Sequence, residues 1–382
     1  MEKFNFDELI DRRNASSYKW DVKENELPMW VADMDFKVAP KIIDAIKRRA
    51  DVAAYGYCSV PSEYFKSFSN WWKRRHDVEI KPDELVFCTG VLAGLDSIFK
   101  HLVKEGSGVV LSTPVYHAFF NCIRNNNLQI ISNKLIYRND NYFIDFEDLE
   151  KSLALESTKV FLLCNPHNPI GKIWSKEDLK HIADLCDKYN VLLISDEIHC
   201  DIVEPGLKYN SIFSVTDKAL VLISPTKAFN LAGVQMACIA CKNPKTKVLL
   251  QKAVYKDDVG EANYFSPYAA IVAYDECEDW LDQMNEYVFN NKKYLCEYIK
   301  KELPEVKVID NKATYLLWLN ISSFTKNSQE FAENLRKSTG LFVSPGSQFG
   351  EGGEAFLRVN IATSLQNVKD ACERLNRYLK AN

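Results

Sequence analysis

The sequence predicts an α/β fold with a mostly parallel sheet flanked by helices. Short apolar runs, which are typical of strands buried on both faces, occur at residues 85–88, 108–111, 160–164, 191–194 and 220–223. Helical patterns separate these runs, and that alternation indicates parallel strands joined by right-handed crossovers. A length of 382 residues is more than one domain usually holds. We therefore expect a large α/β domain and a smaller α/β domain.

The helices are predicted from apolar spacing and from end signals. Residues 40–50 place isoleucines on one face, as an amphipathic helix does. Ser175 and Asp178 have the spacing of a capping box, which begins a further helix. The same reasoning predicts helices at residues 63–75, 92–103, 278–303, 328–338 and 365–379. Later strands are expected at residues 306–309, 315–320 and 355–361.

These elements predict three segments along the chain. Residues 1–37 are irregular and rich in aromatic side chains, and we expect them to form an N-terminal arm that joins the small domain. Residues 38–277 hold the five buried strands and form the predicted large domain. Residues 278–382 form the predicted small domain, which begins with a long helix that bridges the two domains.

Composition excludes several classes of protein. The net charge of −4 lacks the basic excess of a nucleic-acid-binding protein. Every apolar run is shorter than the ~18 residues of a membrane helix, and the N-terminus has no signal-peptide core. The 11 cysteines show no disulfide spacing. Cys238-x-x-Cys241 has no second pair nearby and lies in a segment that is typical of a strand, so core cysteine is favoured over a zinc or redox site. We expect a cytoplasmic protein with reduced thiols, no metal, no nucleic-acid partner and no membrane partner.

One lysine lies where an α/β protein places its ligand. Lys227 follows the buried run at residues 220–223, and open α/β sheets bind ligands at the carboxyl ends of their strands. A lysine amine becomes a nucleophile when burial or a nearby cation lowers its pKa. The alternative is a solvated lysine in a turn, and the local sequence alone leaves both interpretations open.

Motifs in one consistent order resolve this choice. The segments WVADMDF at residues 30–36, NPHNPIG at residues 165–171 and SPTKAFNLAG at residues 224–233 resemble the fold type I pyridoxal 5′-phosphate (PLP) enzymes of the aspartate aminotransferase (class I/II) superfamily. They are most similar to the cystathionine β-lyase branch, and the resemblance spans nearly the whole chain. It implies a large PLP-binding domain in which Lys227 holds PLP as a Schiff base and Ser224 binds the phosphate.

The resemblance also implies a set of cofactor contacts. Asp196 matches the anion that keeps the pyridine nitrogen protonated, which PLP chemistry needs, although strand-end carboxylates are often only helix caps. Asn168 matches the amide that bonds the cofactor O3′, and His199 falls near the same oxygen as a supporting group. The turn at the start of a helix is an anion site, and by the resemblance its residues hold the phosphate: Gly90, Val91 and Leu92.

Aromatic and arginine side chains complete the predicted site. Tyr116 follows a strand and matches the ring that stacks on PLP, and we predict it as catalytic together with Lys227 and Asp196. Tyr57 matches a tyrosine that reaches the phosphate of a partner subunit, which predicts a homodimer; a structural role is the alternative. Trp30 would line the substrate pocket. Many relatives carry an arginine eight residues after the lysine, where this chain has Gln235, so phosphate binding relies more on other groups.

Arg358 lies in an apolar strand, where an arginine needs an anionic partner. The alternatives are a structural salt bridge and a fork that holds a substrate carboxylate through two parallel hydrogen bonds. By the resemblance, Arg358 binds the α-carboxylate of an amino-acid substrate. We expect a PLP-dependent carbon–sulfur β-lyase that cleaves cystathionine or cysteine S-conjugates to a thiol, pyruvate and ammonia. The alternatives are a class I/II aminotransferase and a PLP-binding regulatory protein.

Overall fold

The computed structural model describes residues 2–381. Helix α1 (Pro40–Ala50) has the predicted bounds, and helix α9 (Glu278–Glu302) is the predicted long helix. The others, in chain order, are α2 (Ser62–His76), α3 (Val91–Leu102), α4 (Ala118–Asn125), α5 (Phe146–Leu153), α6 (Lys176–Lys188), α7 (Pro244–Lys256), α8 (Ser266–Glu276), α10 (Ser328–Thr339) and α11 (Leu365–Ala381). Ser175 and Asp178 form the predicted capping box of α6, because each side chain accepts the other's backbone N–H.

A seven-stranded sheet forms the centre of the fold. Its strands are β2 (Leu85–Cys88), β3 (Gly108–Thr113), β4 (Gln129–Lys134), β7 (Thr158–Cys164), β8 (Leu192–Asp196), β9 (Leu220–Ile223) and β10 (Ala237–Cys241). Their order across the sheet is β2-β10-β9-β8-β7-β3-β4. Neighbours pair in parallel except β10, which is antiparallel to both β2 and β9. The prediction of a mostly parallel α/β sheet flanked by helices is confirmed.

The sequence reasoning missed one strand of this sheet. Residues 129–134 form the edge strand β4, which pairs with β3 alone. Its sequence QIISNK has exposed and half-buried positions and one buried polar residue, Asn133. A strand at the edge of a sheet does not need a continuous apolar run. The pattern that predicted the buried strands therefore could not predict this one.

The C-terminal part of the chain builds a smaller antiparallel sheet. Its strands are β11 (Lys307–Val308), β12 (Leu316–Asn320), β14 (Ser344–Pro345) and β15 (Phe356–Asn360), in the order β11-β12-β15-β14. Strand β1 (Leu27–Pro28) pairs in parallel with β13 (Leu341–Phe342), so the N-terminal arm contacts this part of the chain. A hairpin joins β5 (Ile136–Arg138) to β6 (Asn141–Phe143). The domain boundaries at residues 37 and 277 stay a prediction. No helix within residues 2–381 is long and apolar enough to cross a membrane.

Candidate active site

A cavity of about 340 Å³ opens at the carboxyl ends of the central strands. Thr89 and Gly90 follow β2, Tyr116 follows β3, and Lys227 follows β9. Because parallel strands end at the same edge of a sheet, residues that are far apart in sequence meet there. The other lining residues are Ala32, Val91, Leu92, Ala93, Cys164, Asn168, Asp196, Ile198, His199, Thr226, Ala232, Gln235 and Met236.

The Lys227 amine lies in the wall of this cavity. Its side chain is half-buried, and its Nζ donates a 2.7 Å hydrogen bond to the backbone carbonyl of Ala32. Burial lowers the pKa of Lys227 below its ordinary value, and the nearby Arg358 lowers it further, while Asp33 and Asp196 raise it. A lysine in these surroundings gives up its proton more easily than a solvated one, as an amine nucleophile or base must.

Asp196 ends β8 and is buried, with 4% of its surface exposed. Within residues 2–381, its carboxylate accepts a hydrogen bond only from the backbone N–H of Ile198, at 3.1 Å. Burial raises the pKa of Asp196 to about 7. A cation placed in the cavity beside Asp196 would lower that pKa again, so the site is suited to a protonated ring nitrogen.

Arg358 and Asn168 orient each other. The Nη1 of Arg358 donates to Oδ1 of Asn168 at 3.2 Å, and its Nη2 donates to the backbone carbonyl of Trp30 at 2.8 Å. Because the guanidinium takes the amide oxygen, Asn168 presents its amide N–H groups, which are donors, to the cavity. The loop that follows Asn168 is fixed at Gly171, whose φ is +63° and where a Cβ would clash with Cβ of Asn311.

No carboxylate of residues 2–381 pairs with Arg358. Arg358 is buried, with 3% of its surface exposed, yet both of its hydrogen-bond acceptors, an amide oxygen and a backbone carbonyl, are neutral. Its Nε is buried without a partner, and burial lowers its pKa to about 10. The structural salt bridge, which the sequence left open, is therefore absent among these residues. A buried cation without an anion is a ready site for a ligand carboxylate.

The start of helix α3 provides an anion site. Its N-cap is Gly90, and no side chain caps the first turn, so the first backbone N–H groups remain available. A Cβ built on Gly90 would meet no atom within 4 Å, which leaves space for a ligand beside the backbone. Free N–H groups and the helix dipole both favour an anion such as a phosphate here. The donors and acceptors of the cavity thus fit PLP at its phosphate, its ring nitrogen and its phenolic oxygen.

Residues 25–375 match the family "Aminotransferase class I and II". The chain belongs to this family. It is 33% identical to cystathionine beta-lyase PatB of Bacillus subtilis over 98% of this chain and 100% of that protein. Cystalysin from Treponema denticola, whose structure contains a pyridoxal 5′-phosphate cofactor, is 32% identical with a TM-score of 0.95, covering 100% of both chains. The PLP-bound C-S lyase from Staphylococcus hominis is 32% identical with a TM-score of 0.93, covering 99% of this chain and 98% of that one.

Four predicted site residues do not line the cavity in this chain. Arg358 is connected to it through its hydrogen bond to the lining residue Asn168. The Ser224 hydroxyl is buried and donates to the carbonyl of Met236 at 2.6 Å, while the neighbouring Thr226 reaches the cavity wall. The Trp30 ring stacks on Phe342 at 4.8 Å, and the residue contributes its carbonyl to Arg358 instead. Tyr57 is fully exposed on the surface.

His199 and Tyr116 both line the cavity. Burial lowers the pKa of His199 to about 3, so the imidazole is neutral, and its Nδ1 is buried without a partner. Burial raises the pKa of Tyr116, so its hydroxyl keeps its proton at neutral pH. Gln235 lies in the cavity wall as well.

The sequence reasoning missed Ala32 and Thr226. Thr226 could have been found, because it is a hydroxyl residue at the strand end next to Lys227. Ala32 acts through its backbone carbonyl, and an alanine side chain gives no signal for such a contact.

A second cluster of polar side chains lies outside this cavity. Ligand atoms of His76, Cys200 and Asp201 all lie within 4.8 Å of one another. However, Oδ1 of Asp201 already accepts hydrogen bonds from Nε1 of Trp71 at 2.9 Å and pairs with Nε2 of His76 at 2.8 Å. Burial raises the pKa of the Cys200 thiol. The cluster is therefore a satisfied hydrogen-bond network that ties α2 to the loop after β8.

Proposed function

We propose that this protein is a PLP-dependent carbon–sulfur β-lyase that cleaves cystathionine or cysteine S-conjugates to a thiol, pyruvate and ammonia. The observation that carries the proposal is one cavity that gathers a lysine amine with a lowered pKa, a buried carboxylate and a nearby arginine without an anion. An amino acid offers an amine and a carboxylate, which suit that arrangement. The full-length similarity to proteins named as cystathionine beta-lyase and C-S lyase supports the reaction.

Each part of the cofactor has a matching group. Lys227 would bind its carbonyl carbon, Asp196 would hold the ring nitrogen, Asn168 would donate to its phenolic oxygen, and the first turn of α3 would hold its phosphate. The Tyr116 ring would stack on the flat ring of the cofactor, and the neutral His199 would support the phenolic side. When bound, the cofactor accepts the electron pair released at the substrate Cα.

The chain's own residues bind the substrate and move its protons. Arg358 holds the α-carboxylate with two parallel hydrogen bonds, which fixes Cα near Lys227. The Lys227 amine then takes the Cα proton, and its lowered pKa increases the share of the neutral form that can do so. Asp196 would keep a negative charge beside a protonated ring nitrogen, because a neighbouring cation lowers its raised pKa. With the proton gone from Cα, a double bond forms between Cα and Cβ as the carbon–sulfur bond breaks. The sulfur leaves with the bonding electron pair and takes the proton that Lys227 holds, and water hydrolyses the remaining three-carbon fragment to pyruvate and ammonia.

The second candidate reaction is amino transfer, which the name of the matched family favours. Both reactions use Lys227, Asp196, Asn168 and Arg358 in the same roles, so the cavity alone does not separate them. They differ in what happens at Cβ: a lyase releases sulfur there, whereas an aminotransferase leaves Cβ intact and needs a keto acid to regenerate the enzyme.

The active unit is a homodimer in this proposal, and Tyr57 acts in the partner's site. Residues 51–57 are all exposed, and Tyr57 contacts no part of its own cavity. With Gln235 where many relatives place an arginine, an extra hydroxyl from a second subunit would strengthen phosphate binding. A C₂ dimer would complete two equivalent sites in this way. We also propose that the protein is cytoplasmic, because all eleven cysteines are free thiols.

A comparison of the two reactions in parallel assays tests the proposed function. The PLP-loaded enzyme is supplied with an S-alkyl-L-cysteine, and free thiol release is measured. In parallel it is supplied with L-alanine or L-aspartate and 2-oxoglutarate, and glutamate formation is measured. The proposal predicts a higher kcat/KM for thiol release. Efficient glutamate formation with slow thiol release would favour the aminotransferase.

A further inference from the structure

Two backbone carbonyls from the N-terminal arm contact the two cationic groups of the site. We name residues 30–36 (WVADMDF) the strap. The Trp30 carbonyl accepts from Nη2 of Arg358 at 2.8 Å, and also from Oγ of Ser344 at 3.0 Å. The Ala32 carbonyl accepts from Nζ of Lys227 at 2.7 Å. The strap thus supplies acceptors to the proposed carboxylate-binding and amine groups at once.

Asn360 holds the strap from the side of the small sheet. It follows Arg358 by two residues on β15, so both side chains lie on the same face of that strand. Its Nδ2 donates to the carbonyls of Val31 at 2.6 Å and Asp33 at 2.7 Å, which flank the carbonyl that contacts Lys227. Its Oδ1 accepts from the backbone N–H of Ala362 at 2.8 Å. The residue is fully buried, and these three hydrogen bonds use both side-chain N–H groups and the side-chain oxygen.

Asn230 holds the strap from the side of the large sheet. It lies three residues after Lys227, and its Nδ2 donates to the carbonyls of Met34 at 3.2 Å and Phe36 at 2.8 Å. Its Oδ1 accepts from the backbone N–H of Met34 at 3.3 Å. The strap is therefore fixed by one asparagine beside each cationic group.

We infer that Asn360 is a positioning residue for the proposed reaction, on which this inference rests. It touches neither substrate nor cofactor and acts by fixing the strap, which in turn orients the guanidinium of Arg358 and the amine of Lys227. An incoming α-carboxylate replaces the Trp30 carbonyl on Arg358, and the strap keeps that guanidinium in place until it does. Without Asn360, the Val31 carbonyl loses its side-chain donor, the Asp33 carbonyl keeps only Nζ of Lys19 at 3.2 Å, and the strap loosens.

A matched control is available in Asn291. It is also buried, with 1% of its surface exposed, and its Nδ2 donates to two carbonyls, those of Ile361 at 3.1 Å and Thr363 at 2.8 Å. It makes no hydrogen bond to the strap. Asn291→Ala therefore removes a similar buried amide while leaving the strap clamped.

The first measurement is hydrogen–deuterium exchange of the strap peptide in the cofactor-free protein, which requires no activity. The reporter is the Asp33 amide, which donates to the Val31 carbonyl within the strap at 2.9 Å. Asn360→Ala should speed exchange across the strap by about tenfold or more, since two hydrogen bonds are lost. Asn291→Ala should leave that exchange as in the wild type. Equal exchange in the two variants would overturn the inference.

The second measurement is kinetic and uses the PLP-loaded enzyme with L-cystathionine. Asn360→Ala should raise KM by about tenfold and change kcat by less than about threefold. The guanidinium loses its orientation, whereas Lys227, once bonded to the cofactor, would no longer depend on the Ala32 carbonyl for its position. Faster exchange with an unchanged KM would overturn the positioning role. If Asn360→Ala does not fold, Asn230→Ala loosens the strap from its other side and should raise both exchange and KM. A wild-type protein without turnover would refute the proposed function, while the exchange result would still decide whether Asn360 fixes the strap.

Discussion

Arg358→Lys is the substitution that most sharply separates a substrate-binding arginine from a structural one. Lysine keeps the positive charge but replaces the planar fork with a single point donor. Losing one of two charge-assisted hydrogen bonds to a carboxylate costs about 1.5–3 kcal/mol, which corresponds to a roughly 10- to 150-fold fall in kcat/KM. The change also removes the donor that fixes Oδ1 of Asn168, so the loss should lie toward the upper end.

The assay is thiol release from L-cystathionine, measured together with the midpoint of thermal unfolding. The control is Arg336→Lys, because Arg336 also forms a fork, donating Nε and Nη2 to the Glu26 carboxylate at 2.8 Å each, but lies outside the cavity. Arg336→Lys should lower stability and leave kcat/KM within about twofold, as surface and half-buried changes away from a site do. An Arg358→Lys enzyme with unchanged kcat/KM and reduced stability would refute the assignment of Arg358.

Three further predictions concern the cofactor. Lys227→Ala should abolish both turnover and covalent attachment of PLP; borohydride reduction that still yields a labelled peptide would identify another lysine. Folded Asp196 keeps its proton to about pH 7, against an ordinary pKa of 3.8, so its ionisation destabilises the cofactor-free protein as pH rises between these values. Asp196→Asn should therefore be more stable than the wild type at pH 8, by on the order of a few kcal/mol, with a smaller difference at pH 4. The same substitution should weaken PLP binding. Equal unfolding curves at pH 8 would contradict the raised pKa of the buried Asp196 carboxyl. Mixing inactive Tyr57→Phe and Lys227→Ala subunits should restore partial activity, because each heterodimer keeps one intact site, whereas full activity in a proven monomer would exclude a shared site.

The central sheet was predictable because its strands are buried on both faces. The run at residues 220–223 predicted β9 with the observed bounds, and the strand ends then located the cavity. The antiparallel direction of β10 was not predictable, because a buried apolar run does not indicate which way its chain runs. The polar pattern of β4 likewise concealed an edge strand.

The site was predictable where side chains carry the chemistry. The Lys227, Asp196 and Asn168 positions follow from polar residues after buried strands, together with the family resemblance, and the structure brings all three to one cavity. Contacts made by the backbone could not be predicted, because any residue has a carbonyl group. The Ala32 carbonyl on Lys227 belongs to this class.

The partner of Arg358 is a different case. An arginine in an apolar strand indicated only that some acceptor must be present, and the sequence left a salt bridge and a ligand site open. In the structure, Arg358 donates to an amide oxygen and to a backbone carbonyl. The residues that carry these acceptors lie 190 and 328 positions away from Arg358 in the sequence. Such separations are beyond the reach of local patterns.

The most direct test of the account is a product measurement on L-cystathionine with no keto acid present. The PLP-loaded enzyme is incubated with excess substrate, and pyruvate, ammonia and homocysteine are counted against active sites. A carbon–sulfur β-lyase turns over many times and forms the three products in equal amounts, because each cleavage restores the enzyme. A reaction that stops after one turnover per site, and resumes only when a keto acid is added, would contradict the account and identify an aminotransferase.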